Sequence, residues 1–221
     1  QGMPNLLIIG VTGSYGKTSV KNFLEKTLSS KYEVLATPKN YNTPMGVVKT
    51  IREYLKPTHQ IFICEMGAYT CGEIKEICDI VKPKMGVITS IGPQHLETFK
   101  SMENIVKTKF ELADAVSENN GTIFLNYDNE YISSKKDLNC KTISYGIENE
   151  TLDYNAYNLV SSSKGLSFEM ADKEGMVYTF HTKLIGKHNI VNIAGAIAVA
   201  NFLGVPFKNL IPRVKEIKGV E

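Results

Sequence analysis

The feature that most constrains the fold is an alternation of short apolar runs with helical patterns. The runs are continuous, which indicates strands buried on both faces and therefore a parallel sheet covered by helices. They cover residues 6–11, 33–36, 60–66, 85–91, 121–126 and 141–145. Helical patterns fit between them, over 17–30, 43–55, 72–80, 101–118 and 129–135. The sequence predicts an α/β fold with a mostly parallel, doubly wound sheet, helices on both faces, and a ligand site where the strands end.

The pattern changes over residues 154–186. Leu166, Phe168 and Met170 alternate with other residues, 171–175 have the composition of a turn, and 176–185 form a second strand-like run. This segment predicts a small antiparallel β element. An alanine-rich helix is expected over 189–203, and the polar residues 212–221 follow it.

Composition excludes several classes of function. The net charge is +2, too close to neutral to favour nucleic acid as a partner. We expect no membrane segment, because no apolar stretch approaches the ~18 residues of a membrane span. The four cysteines include no C-x-x-C pair, which favours small buried side chains and a reducing, cytoplasmic setting.

Residues 12–19, Thr-Gly-Ser-Tyr-Gly-Lys-Thr-Ser, lie between the first apolar run and the first helical pattern. A strand, a glycine turn, a lysine and a hydroxyl at a helix start form a phosphate-binding loop. In such a loop Lys17 would reach the outer phosphates and Thr18 would supply an oxygen to Mg²⁺. Val11 departs from the usual pattern, which has glycine there, and a turn that only caps the helix is the alternative. The candidate nucleotide-binding residues are Gly13, Ser14, Tyr15, Gly16, Lys17, Thr18 and Ser19.

Two candidates follow other predicted strands. Glu65 ends a buried run, where a carboxylate is well placed to bind Mg²⁺ directly or through water; capping the next helix is the alternative. His95 lies just past the run at 85–91, near the same edge of the sheet. A lone histidine in a loop is as often structural or solvated, so the sequence leaves its role open.

Lys109 lies within the apolar stripe of the helix predicted at 101–118. An ammonium in that position must extend to solvent, pair with an anion, or lose its proton. A neutral amine can add CO₂ to become a carbamate, which would be a ligand for Mg²⁺. The alternative is a side chain that reaches the surface along its methylene groups.

Polar side chains at two other places could contact ligands. Asn189 and Asn192 lie three residues apart at a predicted helix start, where Asn189 could serve only as the N-cap and the amide of Asn192 could pair with an adenine edge. The loop 39–44 follows the second strand and could face a substrate, although its turn-forming residues have a purely local explanation. Its candidate substrate-binding residues are Asn40, Asn42 and Thr43.

Together these segments resemble the Mur ligase family, the ATP-dependent amide ligases that build the stem peptide of peptidoglycan. The matches follow the family's order and cover nearly the whole chain. They are Val-Thr-Gly-Ser-Tyr-Gly-Lys-Thr, Asn-Tyr-Asn-Thr-Pro-Met-Gly, Glu-Met-Gly-Ala with Gly72-Glu-Ile, His95-Leu-Glu, Lys109, and Gly-Lys-His-Asn-x-x-Asn. Valine at position 11 is normal for this family.

The resemblance implies a role for each matching position. ATP would bind with its phosphates at Lys17 and the loop amides and with its adenine side at Asn189 and Asn192. The implied metal ligands are Thr18 and Glu65 for one Mg²⁺, and His95 and a carbamylated Lys109 for a second. Lys17, His95 and Lys109 would be the catalytic residues.

The Glu-Met-Gly-Ala segment most resembles the member that adds D-alanyl-D-alanine to UDP-N-acetylmuramoyl-tripeptide. The implied reaction forms an acyl phosphate and ADP from the acceptor's carboxylate and ATP, and the dipeptide's amine then displaces phosphate. Other ligases of the superfamily, of the folylpolyglutamate or cyanophycin type, and a nucleotide-binding module without ligase activity are the alternatives.

The resemblance also implies how much of a ligase this chain represents. Residues 1–221 match the central ATPase domain alone, and the family's N-terminal UDP-sugar-binding and C-terminal domains have no counterpart here. We therefore expect the isolated chain to bind nucleotide as a monomer without performing ligation.

Overall fold

The computed structural model describes residues 2–39 and 41–219, and these form nine strands in one sheet. The strands are β1 (Leu7–Thr12), β2 (Val34–Ala36), β3 (Ile61–Glu65), β4 (Met85–Ile88), β5 (Thr122–Asn126), β6 (Lys141–Ile147), β7 (Tyr154–Ser162), β8 (Gly165–Ala171) and β9 (Val177–Thr182). Their order across the sheet is β2-β3-β1-β4-β5-β6-β7-β8-β9. All pairs from β2 to β7 are parallel, whereas β7–β8 and β8–β9 are antiparallel.

The helices of the described residues connect these strands. They are α1 (Lys17–Leu28), α2 (Pro44–Tyr54), α3 (Glu73–Val81), α4 (Leu96–Phe99), α5 (Met102–Glu118), α6 (Glu130–Ser133), α7 (Lys187–Phe202) and α8 (Phe207–Glu216). None of these helices combines the length and the apolar character needed to cross a membrane.

Two apolar cores confirm that helices cover both faces of the sheet. On one face, residues such as Ile9 and Ile63 pack with Phe23 of α1 and with α7 and α8. On the other, Phe62 and Cys64 pack with α2, α3 and α5. Because neighbouring residues of β3 enter different cores, the strand is apolar from Ile61 to Cys64, as the continuous runs predicted.

The parallel register aligns the strand ends that position the site. Val11 of β1 is opposite Glu65 of β3, and Thr12 is opposite Ile88 of β4. The residues following these three strands therefore meet at one edge of the sheet, and the phosphate loop leads from that edge into α1. This is the edge at which doubly wound sheets bind ligands.

The structure extends the sequence prediction in the second half of the chain. The segment 154–186 contains the three strands β7, β8 and β9, and β7 pairs with β6, so the antiparallel part continues the main sheet. Helices α4 and α8 were not predicted. Helix α7 begins at Lys187 with Gly186 as its N-cap, so the interpretation of Asn189 as the N-cap is wrong; the Asn189 Nδ2 instead donates to the carbonyl of Ile185.

Candidate nucleotide and metal site

The phosphate loop depends on two glycines. Gly13 has φ 156°, and a Cβ there would lie 2.0 Å from Oγ1 of Thr89 in the segment after β4. Gly16 has φ 84°, forms the N-cap of α1, and would place a Cβ 3.2 Å from the amide of Asn192. The first glycine allows the loop to approach the neighbouring strand, and the second allows it to approach α7.

The start of α1 supplies the anion-binding donors of this loop. The N–H of Ser14 donates to the Ser90 carbonyl at 2.8 Å and that of Tyr15 to Ser90 Oγ at 3.1 Å, so both are committed to the protein. The first N–H groups of a helix have no intrahelical partner. Those of Lys17, Thr18 and Ser19 therefore remain to bind an anion at the positive end of the α1 dipole.

Lys17 is half buried at the entrance to α1. Burial lowers the pKa of its ammonium, and the charge of Glu65 opposes that shift. The ammonium therefore lies within the electrostatic influence of the carboxylate while remaining beside the anion-binding end of the helix.

Glu65 is the centre of the polar contacts. Its side chain is buried, and Oε1 accepts a hydrogen bond from Thr18 Oγ1 at 2.9 Å and one from Asn42 Nδ2 at 3.5 Å. Oε2 lies 3.1 Å from the ammonium of Lys21 but accepts no hydrogen bond of adequate geometry. A buried carboxylate oxygen with free lone pairs, next to a hydroxyl and a phosphate loop, fits a divalent cation that prefers oxygen ligands.

Sequence reasoning missed Lys21. It is buried on α1 and pairs with Glu65, and its ammonium also donates to the carbonyl of Lys39 at 2.6 Å. Helical spacing was the available signal, because Lys21 lies three residues after Thr18 and so on the same side of the helix.

His95 lies next to the loop that follows Glu65. Its backbone is left-handed, with φ 55°, and it is the N-cap of α4. Its ring is exposed and packs against Tyr69, with ring centroids 4.6 Å apart. The structure thus places the histidine beside the segment that leaves β3, as expected for a strand-end residue.

Lys109 is buried in α5, with only 2% of the residue exposed, so a side chain that escapes to solvent is excluded. Its Nζ lies 5.8 Å from the ring centre of Phe99, and no ion pair among the described residues includes it. Burial is the main cause that lowers the pKa of Lys109 to about 8, and the charge of Lys17 contributes. The two ammonium groups are therefore close enough for their charges to interact.

A cavity of about 440 Å³ extends from the phosphate loop to α7. Tyr15, Gly16, Ser19 and Asn192 line it, whereas Asn189 does not. Lining residues that sequence reasoning missed are Asn126, Asp128, Asn129 and His188. Asp128 and Asn129 follow β5, so the rule that located Glu65 would have found them. A larger cavity of about 710 Å³, between α5 and residues 135–140, includes none of the phosphate loop.

The predicted substrate loop lies beside Glu65. The Asn42 carbonyl accepts from the N–H of Gly67 at 2.8 Å, and its side chain reaches Glu65. Thr43 caps α2, because its Oγ1 accepts from the N–H of Gly46 at 3.1 Å. Asn40 lies outside the described residues.

Protein side chains alone do not complete a metal centre in the described ranges. Residues 2–39 and 41–219 contain no group of three or more His, Cys, Asp or Glu side chains arranged to hold a metal ion. A cation at Thr18 and Glu65 would therefore need further oxygen ligands, such as phosphate or water.

With this geometry established, comparison with known proteins identifies the family. The family model described as the Mur ligase middle domain matches residues 11–200, and the chain belongs to this family. The UDP-N-acetylmuramoyl-tripeptide--D-alanyl-D-alanine ligase of Bacillus subtilis is 31% identical over 198 residues, covering 90% of this chain and 42% of that protein.

Solved structures give the same result. MurF from Acinetobacter baumannii superposes with a TM-score of 0.89 at 27% identity, covering 99% of this chain and 47% of that one. MurF ligase from Thermotoga maritima in complex with ADP has a TM-score of 0.85 at 27% identity, covering 97% and 49%. The family resemblance and the fold class predicted from sequence are thereby confirmed. The chain spans less than half the length of these relatives.

Proposed function

We propose that this chain is the ATP-binding part of a ligase that joins D-alanyl-D-alanine to UDP-N-acetylmuramoyl-tripeptide. The observation that supports ATP chemistry most directly is the buried Glu65 carboxylate beside the phosphate loop, because its Oε1 accepts from Thr18 Oγ1 and its Oε2 accepts no hydrogen bond. The names of the relatives support the choice of acceptor and dipeptide.

In this proposal ATP lies along the cavity between the phosphate loop and α7. The N–H groups at the start of α1 and the ammonium of Lys17 bind the phosphates, and Asn192 contacts the base. Asn189 would reach the nucleotide only through a change of its side chain, which now bonds to Ile185. The MurF ligase of Thermotoga maritima, solved with ADP, supports a nucleotide as the ligand.

Thr18 and Glu65 would hold one Mg²⁺, which would neutralise phosphate charge and polarise the transferring group. The protein's part is then positioning and electrostatic stabilisation. Lys17 stabilises the charge shared between the acceptor carboxylate and the γ-phosphate. The acceptor would approach Asn42 and Thr43, and Asn40 belongs to the same segment of the sequence, the predicted substrate loop. Attack of the carboxylate gives an acyl phosphate and ADP; attack of the dipeptide amine then forms the amide and releases phosphate.

We further propose that Lys109 is carbamylated and, with His95, binds a second Mg²⁺. Lys109 is buried and forms none of the ion pairs within residues 2–39 and 41–219, and its lowered pKa favours the neutral amine that reacts with CO₂. The nitrogen lone pair adds to the carbon of CO₂ and the nitrogen loses a proton, which leaves an anionic carbamate. In the complete gene product, Lys109→Ala should abolish ligation, and added short carboxylates should restore part of it; no rescue would contradict the carbamate.

Incubation of the complete gene product with ATP and D-alanyl-D-alanine tests the substrate assignment. We expect ADP release and a new amide with the UDP-linked tripeptide and neither with a folate acceptor. An amide formed only from the folate acceptor and added glutamate would favour the folylpolyglutamate type. The 221-residue chain alone should bind ADP without ligating. Its free cysteines fit a reducing cytoplasm, and light scattering should show a monomer.

A further inference from the structure

Lys21 is a buried charge that the proposed reaction does not use. Only 2% of the residue is exposed, and its ammonium contacts two segments outside α1. It is 3.1 Å from Glu65 Oε2 and donates to the Lys39 carbonyl at 2.6 Å. Burying an ammonium is costly unless it is paired and hydrogen-bonded, and both partners here are specific.

The second partner begins the predicted substrate loop. Lys39 has a left-handed backbone, with φ 45°, and its carbonyl is directed to Lys21. Three residues later, Asn42 accepts from the N–H of Gly67 and reaches Glu65 with its amide. The loop is therefore attached to the surroundings of Glu65 at two points, and Lys21 provides one of them.

The first partner, Glu65, interacts with the charges of two lysine side chains. Lys21 is next to Oε2, and the carboxylate's charge also raises the pKa of Lys17 against the effect of burial. Without Lys21, Lys17 would be the remaining cation whose charge acts on the carboxylate. A closer pairing of these two groups would draw Glu65 from the metal position and the Lys17 ammonium from the phosphates.

We propose that Lys21 is a positioning residue that clamps Glu65 and the Lys39 carbonyl together, so that the metal end of the site keeps one geometry with Lys39 and Asn42. The inference rests on the proposed function, which assigns Glu65 and the loop their roles. It adds a residue that contacts neither nucleotide nor acceptor.

Brief native-state trypsin treatment of the 221-residue chain tests the clamp, with cleavage after Lys39 followed by mass spectrometry. We expect Lys21→Met to accelerate this cleavage at least tenfold. Lys26→Met is the matched control, because Lys26 is on the same helix and pairs with Glu216 at the surface. Cleavage of Lys21→Met within twofold of Lys26→Met would overturn the proposal.

A double-mutant cycle tests whether Lys21 acts together with Glu65. In Lys21→Met/Glu65→Gln, cleavage should be no faster than in Lys21→Met alone, because the bridge is already lost. If the two accelerations multiply, Lys21 acts without Glu65 and the bridge is refuted. The double variant leaves no unpaired buried charge, so if Lys21→Met fails to fold, the double variant takes its place: cleavage at least tenfold faster than in the wild-type chain supports the clamp, and cleavage within twofold of the wild-type chain overturns it.

Calorimetry of ADP binding with and without Mg²⁺ separates positioning from a purely structural role. The factor by which Mg²⁺ strengthens ADP binding should fall at least tenfold in Lys21→Met and stay unchanged in Lys26→Met. An unchanged or larger factor would show that Lys21 does not orient Glu65 for the metal. If the wild-type chain shows no Mg²⁺ effect, the metal role in the proposed function fails, and trypsin cleavage alone decides on the clamp.

Discussion

The two ends of the candidate site differ in how their buried charges are balanced. At one end, Glu65 contacts Thr18, Asn42 and Lys21, so a buried anion and a buried cation face each other. At the other end, the Lys109 ammonium is just as buried but forms none of the ion pairs of the described residues. At the first end the protein's own charges balance each other, whereas at the second the described residues supply no carboxylate in an ion pair with the ammonium.

Desolvation explains why this difference matters. An unpaired buried ion costs several kcal/mol, whereas a well-placed pair recovers much of that cost. Lys21 and Lys109 are equally buried, but replacing each by an apolar side chain of similar length should change the free energy of unfolding in opposite directions.

Lys21→Met should destabilise the fold by ~3 kcal/mol, because it leaves the Glu65 carboxylate buried without its partner. Urea unfolding measures the change, and Lys26→Met on the same helix should alter stability by less than ~1 kcal/mol, as surface pairs do. A neutral effect of Lys21→Met would mean that Glu65 is compensated by other groups.

Lys17→Ala should weaken ADP binding by ~100-fold, since charged hydrogen bonds to phosphate contribute up to ~3 kcal/mol. Calorimetry at fixed salt gives the value, and Lys26→Ala serves as the control that keeps the phosphate contacts. Unchanged affinity in Lys17→Ala would contradict the assignment of the phosphate loop.

Lys109→Met should stabilise the fold by an amount on the order of 2 kcal/mol at pH 7 in CO₂-free buffer. The pKa of Lys109 is about 8 in the folded chain, below the 10.5 of a free lysine, so the unfolded chain binds the proton more tightly between these values. Wild-type stability should therefore rise from about pH 8 toward pH 10.5, and Lys109→Met should lose that rise. A destabilised variant would show that the ammonium has a stabilising partner.

Asn192→Ala should weaken ADP binding by about fivefold, the loss of roughly one neutral hydrogen bond. Asn189→Ala provides the comparison, because Asn189 lies outside the cavity and bonds to Ile185. Equal losses in both variants would place the base nearer the start of α7 than the cavity indicates.

The sequence predicted those parts of the molecule in which one residue pattern has one physical solution. Continuous apolar runs fit buried parallel strands, and β1 to β6 lie where those runs were found. Lys109 was identified for the same reason, because a charge inside an apolar stripe has few possible environments. The strand-end positions of Glu65 and His95 followed from the fold class.

The elements that were missed depend on packing over long sequence distances. β7 pairs with β6 only through Tyr154–Ala156, and the rest of the strand is largely exposed, so no continuous apolar run marks it as a part of the parallel sheet. α4 is one turn long, and Pro212 lies inside α8. Lys21 was missed because a lysine on a helix is usually solvated. Its burial becomes visible only when the fold places Glu65, at the end of β3, next to it.

The close approach of Gly16 to Asn192 has a consequence for ligand choice. It joins the phosphate-binding turn directly to the helix that lines the far part of the cavity, and α7 is held against α1 by an alanine-rich buried face. The spacing between the anchoring points for the two ends of a nucleotide is therefore set by helix packing rather than by a movable loop. We therefore expect this contact to favour ligands whose base and first two phosphates match the fixed distance, a requirement that ADP and ATP both meet.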